Sequence, residues 1–316
     1  MGNLKHRRLR GRVIAVVIRA LNFVTRNLPL SVVRALGVAI GHLGWHVLGR
    51  YRNRAMHNIA IAFPDWSRRK QRTTVRNMFH AMGASMFELG WLINLNPETL
   101  KQTTEIHGAE HIDEALAAGK GMLIFTGHCG NWEWLPATVS LLGHPLTILQ
   151  RDRDEPDFNR IILQLHEHFG MRTIGRGSTA GALQMYRALR GGGLLAFLID
   201  QNIRAESVRV PFFGKPAPTP IGPAKLAVRA EAPVMICFIE RRNGKQIVTF
   251  QEPFFGTDPV AITARLTAAI EEHIRNVPEQ WMWFHQRWKD RPKWDIGATQ
   301  ALREQRRVYL RKQSAK

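Results

Sequence analysis

The segment Gly121-Met-Leu-Ile-Phe-Thr-Gly-His-Cys-Gly-Asn-Trp-Glu133 decides the fold of this 316-residue chain. Its first part, residues 121–126, is a short apolar run that follows a glycine and a lysine, which is typical of a buried strand. The glycine-containing stretch 127–130 predicts a turn, and Asn131 is suited to cap a following helix. The pattern therefore predicts a strand, a turn and a helix of the kind that builds layered α/β domains.

A histidine and a carboxylate flank the predicted turn. If His128 and Glu133 shared one helix, they would lie about 140° apart around its axis and could not cooperate. With His128 at the strand end and Glu133 in the first helical turn, the two side chains can meet, and the helix N-terminus favours the ionised glutamate. A carboxylate that orients an imidazole and stabilises its protonated form is what a histidine general base needs. The alternative is a histidine that caps the turn and a solvated glutamate.

Strands alternate with helices along the rest of the chain. After the turn we expect a helix to about residue 142, strands at 146–150, 172–174, 194–200, 234–240 and 246–250, and helices at 157–169, 179–190, 221–230, 259–276 and 299–312. This alternation predicts an α/β fold with a mostly parallel central sheet flanked by helices. The earlier part of the chain predicts helices only, including one at 68–92. We therefore divide the chain into a helical, membrane-interface region, residues 1–100, and an α/β domain, residues 101–316.

The chain is strongly basic, with 45 Lys and Arg against 25 Asp and Glu and a net charge of +20. Asp65 is its first acidic residue, and eleven Lys and Arg precede it. Such an excess favours an acidic partner or an anionic membrane surface. Aromatic residues are not interleaved with the basic ones as in a nucleic-acid-binding module, so no nucleic-acid partner is predicted.

Two apolar segments near the N-terminus are interrupted by polar residues. Residues 13–24 contain Arg19 and Asn22, and residues 31–49 contain Arg34. A spanning helix needs about 20 mostly apolar residues, which neither segment provides cleanly. With their basic flanks they predict two amphipathic helices that lie in the membrane interface; the alternative is a pair of core helices of a soluble domain. No cleaved signal peptide is predicted.

Residues 127–133 (GHCGNWE) resemble the GHxGNWE signature of the late acyltransferases of lipid A biosynthesis, the lauroyl and myristoyl transferase family. This family belongs to a wider group of glycerolipid acyltransferases that share a His-x4-Asp/Glu motif. Further blocks similar to the family follow in order: RNRAMHNIAIAFP at 52–64, QR at 150–151, LLAFLIDQ at 194–201, VPFFGKPA at 210–217 and WMWFH at 281–285. The resemblance covers residues 50–292.

The resemblance implies an O-acyltransferase that moves a fatty acyl chain from a carrier thioester to a hydroxyl of a phosphorylated glucosamine lipid. The implied donor is acyl carrier protein, an acidic protein that part of the basic charge would dock, but charge alone does not distinguish it from coenzyme A. The implied location is the cytoplasmic face of the bacterial inner membrane, with the chain monotopic or shallowly inserted. No metal or redox cofactor is implied.

The reaction needs a base and donors for an oxyanion. We assign His128 as the general base, oriented by Glu133. The backbone N–H groups of Gly130 and Asn131 are predicted oxyanion donors. Arg151 is a further donor or, alternatively, grips an acceptor phosphate through its planar guanidinium.

Other residues receive supporting roles or none. Asp200 and Gln201 end a strand at the sheet edge where ligands bind in open α/β folds, and we predict that Asp200 supports the site and is not a second base. The aromatic and Pro-rich stretch 212–217 shapes the acyl channel or is a buried loop. Cys129 is not predicted to be the nucleophile. His166 and His168 alternate on a helix, where they diverge, so they predict no metal site.

Two alternatives remain open. The same enzyme type could acylate another lipid, a phosphatidylinositol mannoside or a lysophospholipid. A non-catalytic basic protein that binds membrane or nucleic acid is the other class; it predicts that His128 and Glu133 are dispensable and that DNA binding falls steeply with salt.

Overall fold

A seven-stranded sheet lies at the centre of the molecule. The computed structural model describes residues 20, 23–117, 119–144, 146–150, 156–175 and 179–297. The strands are β1 Thr104–His107, β2 Met122–Thr126, β3 Leu146–Gln150, β4 Arg172–Gly175, β5 Leu194–Leu198, β8 Val234–Arg242 and β9 Lys245–Phe250, with β6 Ser207–Phe212 and β7 Lys215–Pro220 in a separate hairpin. The order across the sheet is β1-β9-β8-β2-β5-β3-β4. Only the β8–β9 pair is antiparallel among these neighbours, so the predicted mostly parallel sheet is confirmed.

Helices precede the sheet and cover its faces. They are α1 Leu30–Val47, α2 Gly49–Ala62, α3 Arg68–Trp91, α4 Pro97–Thr103, α5 Glu110–Leu116, α6 Trp134–Leu141, α7 Pro156–His168, α8 Thr179–Arg190, α9 Gly222–Ala230 and α10 Pro259–Asn276. Their sequences have the expected periodicity: α10 buries Ile262, Leu266, Ile270 and Ile274, which share one face of the helix. The flanking helices explain why every residue of β2 is buried, since a parallel strand between two helical layers has no solvent face.

Glycines bring α1 and α3 into close contact. A Cβ atom added to Gly83 of α3 would lie 2.1 Å from the carbonyl oxygen of Gly37, and one added to Gly41 would lie 2.2 Å from that of Phe79. Side chains at these positions would therefore separate the two helices.

The outer stripe of α1 is apolar and exposed. It comprises Val32, Leu36, Ile40, Leu43 and Val47, which are 39% exposed or more. Within the described ranges, α1 alone is long and apolar enough to cross a membrane by length and composition, and 22% of it is buried.

The structure adds two features that the sequence did not predict. β1 pairs with β9 at the edge of the sheet. The aromatic and Pro-rich stretch, which we expected to shape the acyl channel or to be a buried loop, forms part of the β6–β7 hairpin. Prolines 216, 218 and 220 are tolerated because a two-stranded hairpin leaves one side of each strand without a ladder partner.

Two predicted segments and the predicted domain division are not tested by the structure. The predicted helix at 299–312 and most of segment 13–24 lie outside the described residues. The division near residue 100 stays a prediction; Ile59 and Val75 from one side share a buried cluster with Phe125 from the other.

Candidate active site

Two neighbouring parallel strands bring His128 to Asp200. Thr126, the last residue of β2, pairs with Leu198, the last residue of β5. His128 and Asp200 each follow two positions later, so the register of the two strands places them side by side. The carboxyl ends of parallel strands are where ligands bind in open α/β sheets.

The Asp200 carboxylate is held by three donors. Nδ1 of His128 lies 2.6 Å from Oδ1 of Asp200. The backbone N–H of His128 donates to Oδ2 at 2.7 Å, and the indole N–H of Trp281 donates to the same oxygen at 2.8 Å. The space beside Gly127 is small, because an added Cβ would lie 3.2 Å from the side chain of Ile270.

Asp200 is buried yet ionised. Burial alone raises the pKa of a carboxyl group, but the charge of His128 and the hydrogen bonds from His128 and Trp281 outweigh it and hold the pKa of Asp200 below its ordinary value. A fixed negative charge at Nδ1 favours the tautomer in which Nε2 of His128 is free to accept a proton, and it stabilises the imidazolium that results.

His128 lines a largely apolar cavity of about 550 Å³. The side chain of His128 is 18% exposed, and the edge of its ring packs against Trp132 with the centroids 5.1 Å apart. The cavity extends between the sheet and helices α6 to α9, and its apolar wall includes Ile124, Val139, Ile148, Ile162, Met185 and Leu226. Besides His128, the polar residues that line the cavity include Thr126, Glu133, His166, Gln201 and Glu206.

Glu133 lines this cavity but pairs with a different histidine. Its Oε2 lies 3.3 Å from Nε2 of His166, which projects from α7. The hydrogen bond to His128 that we predicted from Glu133 is made in this structure by Asp200. Glu133 is close to His128 in sequence, but the strand register brings Asp200 to the imidazole.

Gly130 and Asn131 are built into the scaffold beneath the turn. The N–H of Gly130 donates to the carbonyl of Gln280 at 2.9 Å, so this predicted oxyanion donor is already engaged. Gly130 has a φ of +57°, and an added Cβ would lie 2.4 Å from the carbonyl oxygen of Ile239. The side-chain oxygen of Asn131 accepts from the N–H of Trp134 at 3.3 Å, but the helix begins at Trp134 and Glu133, not Asn131, occupies its N-cap position. Neither residue is part of the cavity wall.

A buried carboxylate anchors this scaffold. Glu88 of α3 has no exposed surface and accepts hydrogen bonds from Asn131, Arg34, Arg241 and Gln246. Burial opposes its ionisation, but the two arginines outweigh burial and keep the pKa of Glu88 below its ordinary value. Glu88 therefore ties helices α1 and α3, the β8–β9 hairpin and the turn after His128 together.

The family model for bacterial lipid A biosynthesis acyltransferases matches residues 1–290. The chain belongs to this family. The lipid A biosynthesis acyltransferase of Haemophilus influenzae is 26% identical to it over 84% of this chain and 83% of that protein. The lipid A biosynthesis lauroyltransferase of Escherichia coli is 28% identical, over 84% and 88%. A phosphatidylinositol mannoside acyltransferase of Mycobacterium tuberculosis is 30% identical over 58% of this chain and 59% of its own length.

Cys129 of this acyltransferase is unsuited to nucleophilic chemistry. The residue is 1% exposed and forms an isolated β-bridge with Trp281. Burial, followed by the nearby Asp200 charge, raises the pKa of the thiol well above its ordinary value. The thiol thus stays protonated and inert at neutral pH.

His285 and Arg287, near the end of the described chain, hold two neighbouring segments together. Nε2 of His285 accepts from the backbone N–H of Asn202 at 2.9 Å, and burial lowers the pKa of His285 to about 4 although the charge of Asp200 opposes the shift. Arg287 has no exposed surface and donates to the carbonyl of Pro218 and the hydroxyl of Thr219 in β7. The two residues therefore connect the β6–β7 hairpin to the segment that follows β5.

Sequence reasoning missed Trp281 and His166 as members of this candidate site. Trp281 lies in the WMWFH block that resembles the family, so that signal existed. His166 was considered only as a metal ligand; the structure buries it and exposes His168, as the helical spacing predicted. The described residues contain no group of three or more side chains that could hold a metal ion. Arg151 lies outside them.

Proposed function

We propose that this chain is a membrane-associated O-acyltransferase that moves a fatty acyl chain from acyl carrier protein to a hydroxyl of a lipid A precursor. The observation that carries the proposal is the His128–Asp200 pair, whose histidine lines a largely apolar cavity. A base beside an apolar cavity suits a reaction in which a lipid chain is held while its carbonyl carbon is attacked.

In the proposed mechanism, Nε2 of His128 accepts the proton of the acceptor hydroxyl as its oxygen attacks the thioester carbonyl carbon. The resulting tetrahedral oxyanion collapses and the carbon–sulfur bond breaks. The imidazolium then returns its proton to the departing thiolate, so the histidine ends the cycle neutral. Asp200 stabilises the imidazolium between the two proton transfers.

We assign the orienting role, which the sequence suggested for Glu133, to Asp200. Glu133 remains in the proposal as a carboxylate of the reaction cavity, close to the substrate. Gln201 supplies a side-chain amide on the same wall, the kind of donor that stabilises oxyanions. Arg151 keeps its proposed role as a donor to the oxyanion or to an acceptor phosphate.

The membrane part of the proposal rests on the exposed stripe of α1. Apolar side chains that share one exposed face of a helix, with basic segments on either side, favour shallow binding to anionic lipid. Such binding would bring the acceptor lipid to the enzyme, on the cytoplasmic face of the inner membrane.

The test is transfer of a radiolabelled acyl group from acyl carrier protein to a tetra-acylated lipid A precursor by the purified, detergent-solubilised chain. Acyl-coenzyme A replaces the carrier protein in a parallel reaction. His128→Ala should abolish transfer, whereas His111→Ala, a change in a histidine outside the cavity wall, should not alter it.

Other outcomes would redirect the proposal. Transfer only to a phosphatidylinositol mannoside or a lysophospholipid would keep the chemistry and change the acceptor, as the mycobacterial relative suggests. Full activity of a folded His128→Ala variant would remove His128 from the mechanism.

A further inference from the structure

His166 forms a second histidine–carboxylate pair with Glu133 on the cavity wall. His166 is 3% exposed and lies on the buried face of α7 with Ile162 and Leu165, next to Phe169, which follows the helix. Its Nε2 lies 3.3 Å from Oε2 of Glu133, and the side chain of Glu133 is 21% exposed. In this pair the histidine is the buried member, whereas in the His128 pair the carboxylate is buried.

A contact on the other ring nitrogen is compatible with a His166 tautomer that donates to Glu133. The hydroxyl of Thr173, in β4, lies 3.5 Å from Nδ1. If this hydroxyl donates to Nδ1, the imidazole carries its hydrogen on Nε2, the nitrogen that faces Glu133. A chain of donors then runs from Thr173 through His166 to the carboxylate.

Packing alone does not account for a histidine at this position. Its neighbours on α7 are apolar, and a leucine or methionine would fill the space without the cost of burying a polar ring. What the histidine adds is a donor aimed at a carboxylate in the cavity where the reactive His128 lies. We propose that His166 is a positioning residue that holds the Glu133 carboxylate toward the substrate during acyl transfer. This inference rests on the proposed function, because the test of it by mutation measures acyl transfer.

The decisive experiment is a double-mutant cycle on the full chain. His166→Leu removes the donor and should lower kcat about tenfold or more, with little change in KM for either substrate, because a hydrogen bond to a charged group is lost. His166→Gln keeps an N–H donor and should retain most of the activity. In a Glu133→Gln background, His166→Leu should cause little further loss.

His273→Leu is the matched control. His273 is a partly buried histidine of α10 that stacks on Phe238 and is not part of the cavity wall. Its replacement should leave kcat unchanged, and thermal unfolding should show that all variants fold. Wild-type kcat in His166→Leu, or losses that multiply in the double mutant, would overturn the positioning role.

A spectroscopic measurement tests the same inference without turnover. Long-range proton–nitrogen NMR correlations, assigned with His166→Gln, should show His166 with its hydrogen on Nε2, and the ring nitrogen shifts should move in Glu133→Gln. Unchanged shifts would overturn the inference. An inactive wild-type chain would instead refute the proposed function, so the two failures are distinguishable.

Discussion

The two histidine–carboxylate pairs of the cavity contain the same residue types but bury opposite members. Asp200 is 3% exposed and receives three hydrogen bonds, while its partner His128 lines the cavity. In the second pair His166 is buried, and Glu133 is the more exposed member. The buried member of each pair is held in place by its neighbours, and the other member faces the cavity. In the proposed mechanism, His128 therefore exchanges protons and Glu133 lies close to the substrate.

The largest expected effect comes from breaking the first pair. Asp200→Asn removes the charge that stabilises the imidazolium and disturbs the tautomer of His128, so kcat should fall by about 10²–10⁴. Acyl transfer under saturating substrate measures this. Asp290→Asn, which alters an exposed ion pair with Arg209, is the control and should remain active. Near-normal turnover by folded Asp200→Asn would contradict the assignment of Asp200.

Glu88, a buried carboxylate outside the two pairs, allows a structural role to be compared with the proposed catalytic one. Glu88→Gln leaves Arg34 and Arg241 without their carboxylate in a buried site, which should lower the free energy of unfolding by about 3–5 kcal/mol. Chemical denaturation measures the change. Asp200→Asn should instead affect turnover more than stability; the reverse pattern would mean that Asp200 is chiefly a structural residue.

A smaller effect is expected from loosening the first pair without removing its charge. Trp281→Phe deletes one of the three donors to Asp200 and keeps most of the aromatic packing, so kcat should fall about tenfold. Trp294→Phe serves as the control for loss of an indole. If turnover is unaffected, the two hydrogen bonds from His128 are enough to hold Asp200.

The smallest effect concerns His285, a histidine whose Nε2 must stay unprotonated to accept from Asn202. Its pKa in the folded state, about 4, lies below the ordinary 6.5. The unfolded chain therefore binds a proton that the folded chain does not, and stability falls as pH decreases from about 6.5 to about 4. His285→Gln keeps an acceptor and should reduce this loss by about 1–2 kcal/mol at pH 4.

Unfolding free energies measured across this pH range test the effect. His273 also has a pKa lowered to about 4 by burial, so part of the acid sensitivity should remain in His285→Gln. An unchanged pH dependence in that variant would show that His285 does not contribute to it.

Local sequence patterns predicted most of the α/β domain. The bounds of β3, α8 and α10 agree with the predictions from periodicity and turn residues. The β6–β7 hairpin was missed because alternate prolines argue against a strand unless its partner and free edge are known. β1 was missed because four residues, TEIH, carry too little pattern to stand out from a loop.

The assignment of catalytic residues stays a prediction. His128 was singled out because it follows a strongly apolar strand within a recognisable motif, and its side chain lines the cavity. Its partner was assigned to Glu133 by proximity in sequence, whereas the structure pairs it with Asp200, 72 positions away. Gly130 and Asn131 were predicted to bind substrate through their backbone N–H groups; the N–H of Gly130 donates to Gln280, and the side chain of Asn131 contacts Trp134 and Glu88.

The sequence by itself determined the strand, turn and helix around His128, the alternation that builds a parallel sheet, and the family to which the chain belongs. These follow from neighbouring residues and from motifs that can be read along the chain. Only the tertiary structure decided which carboxylate meets which histidine, because that depends on β2 lying beside β5 in register and on α7 packing over the cavity. Periodicity predicts that strands exist, but strand order and side-chain pairing arise from contacts between residues far apart in sequence.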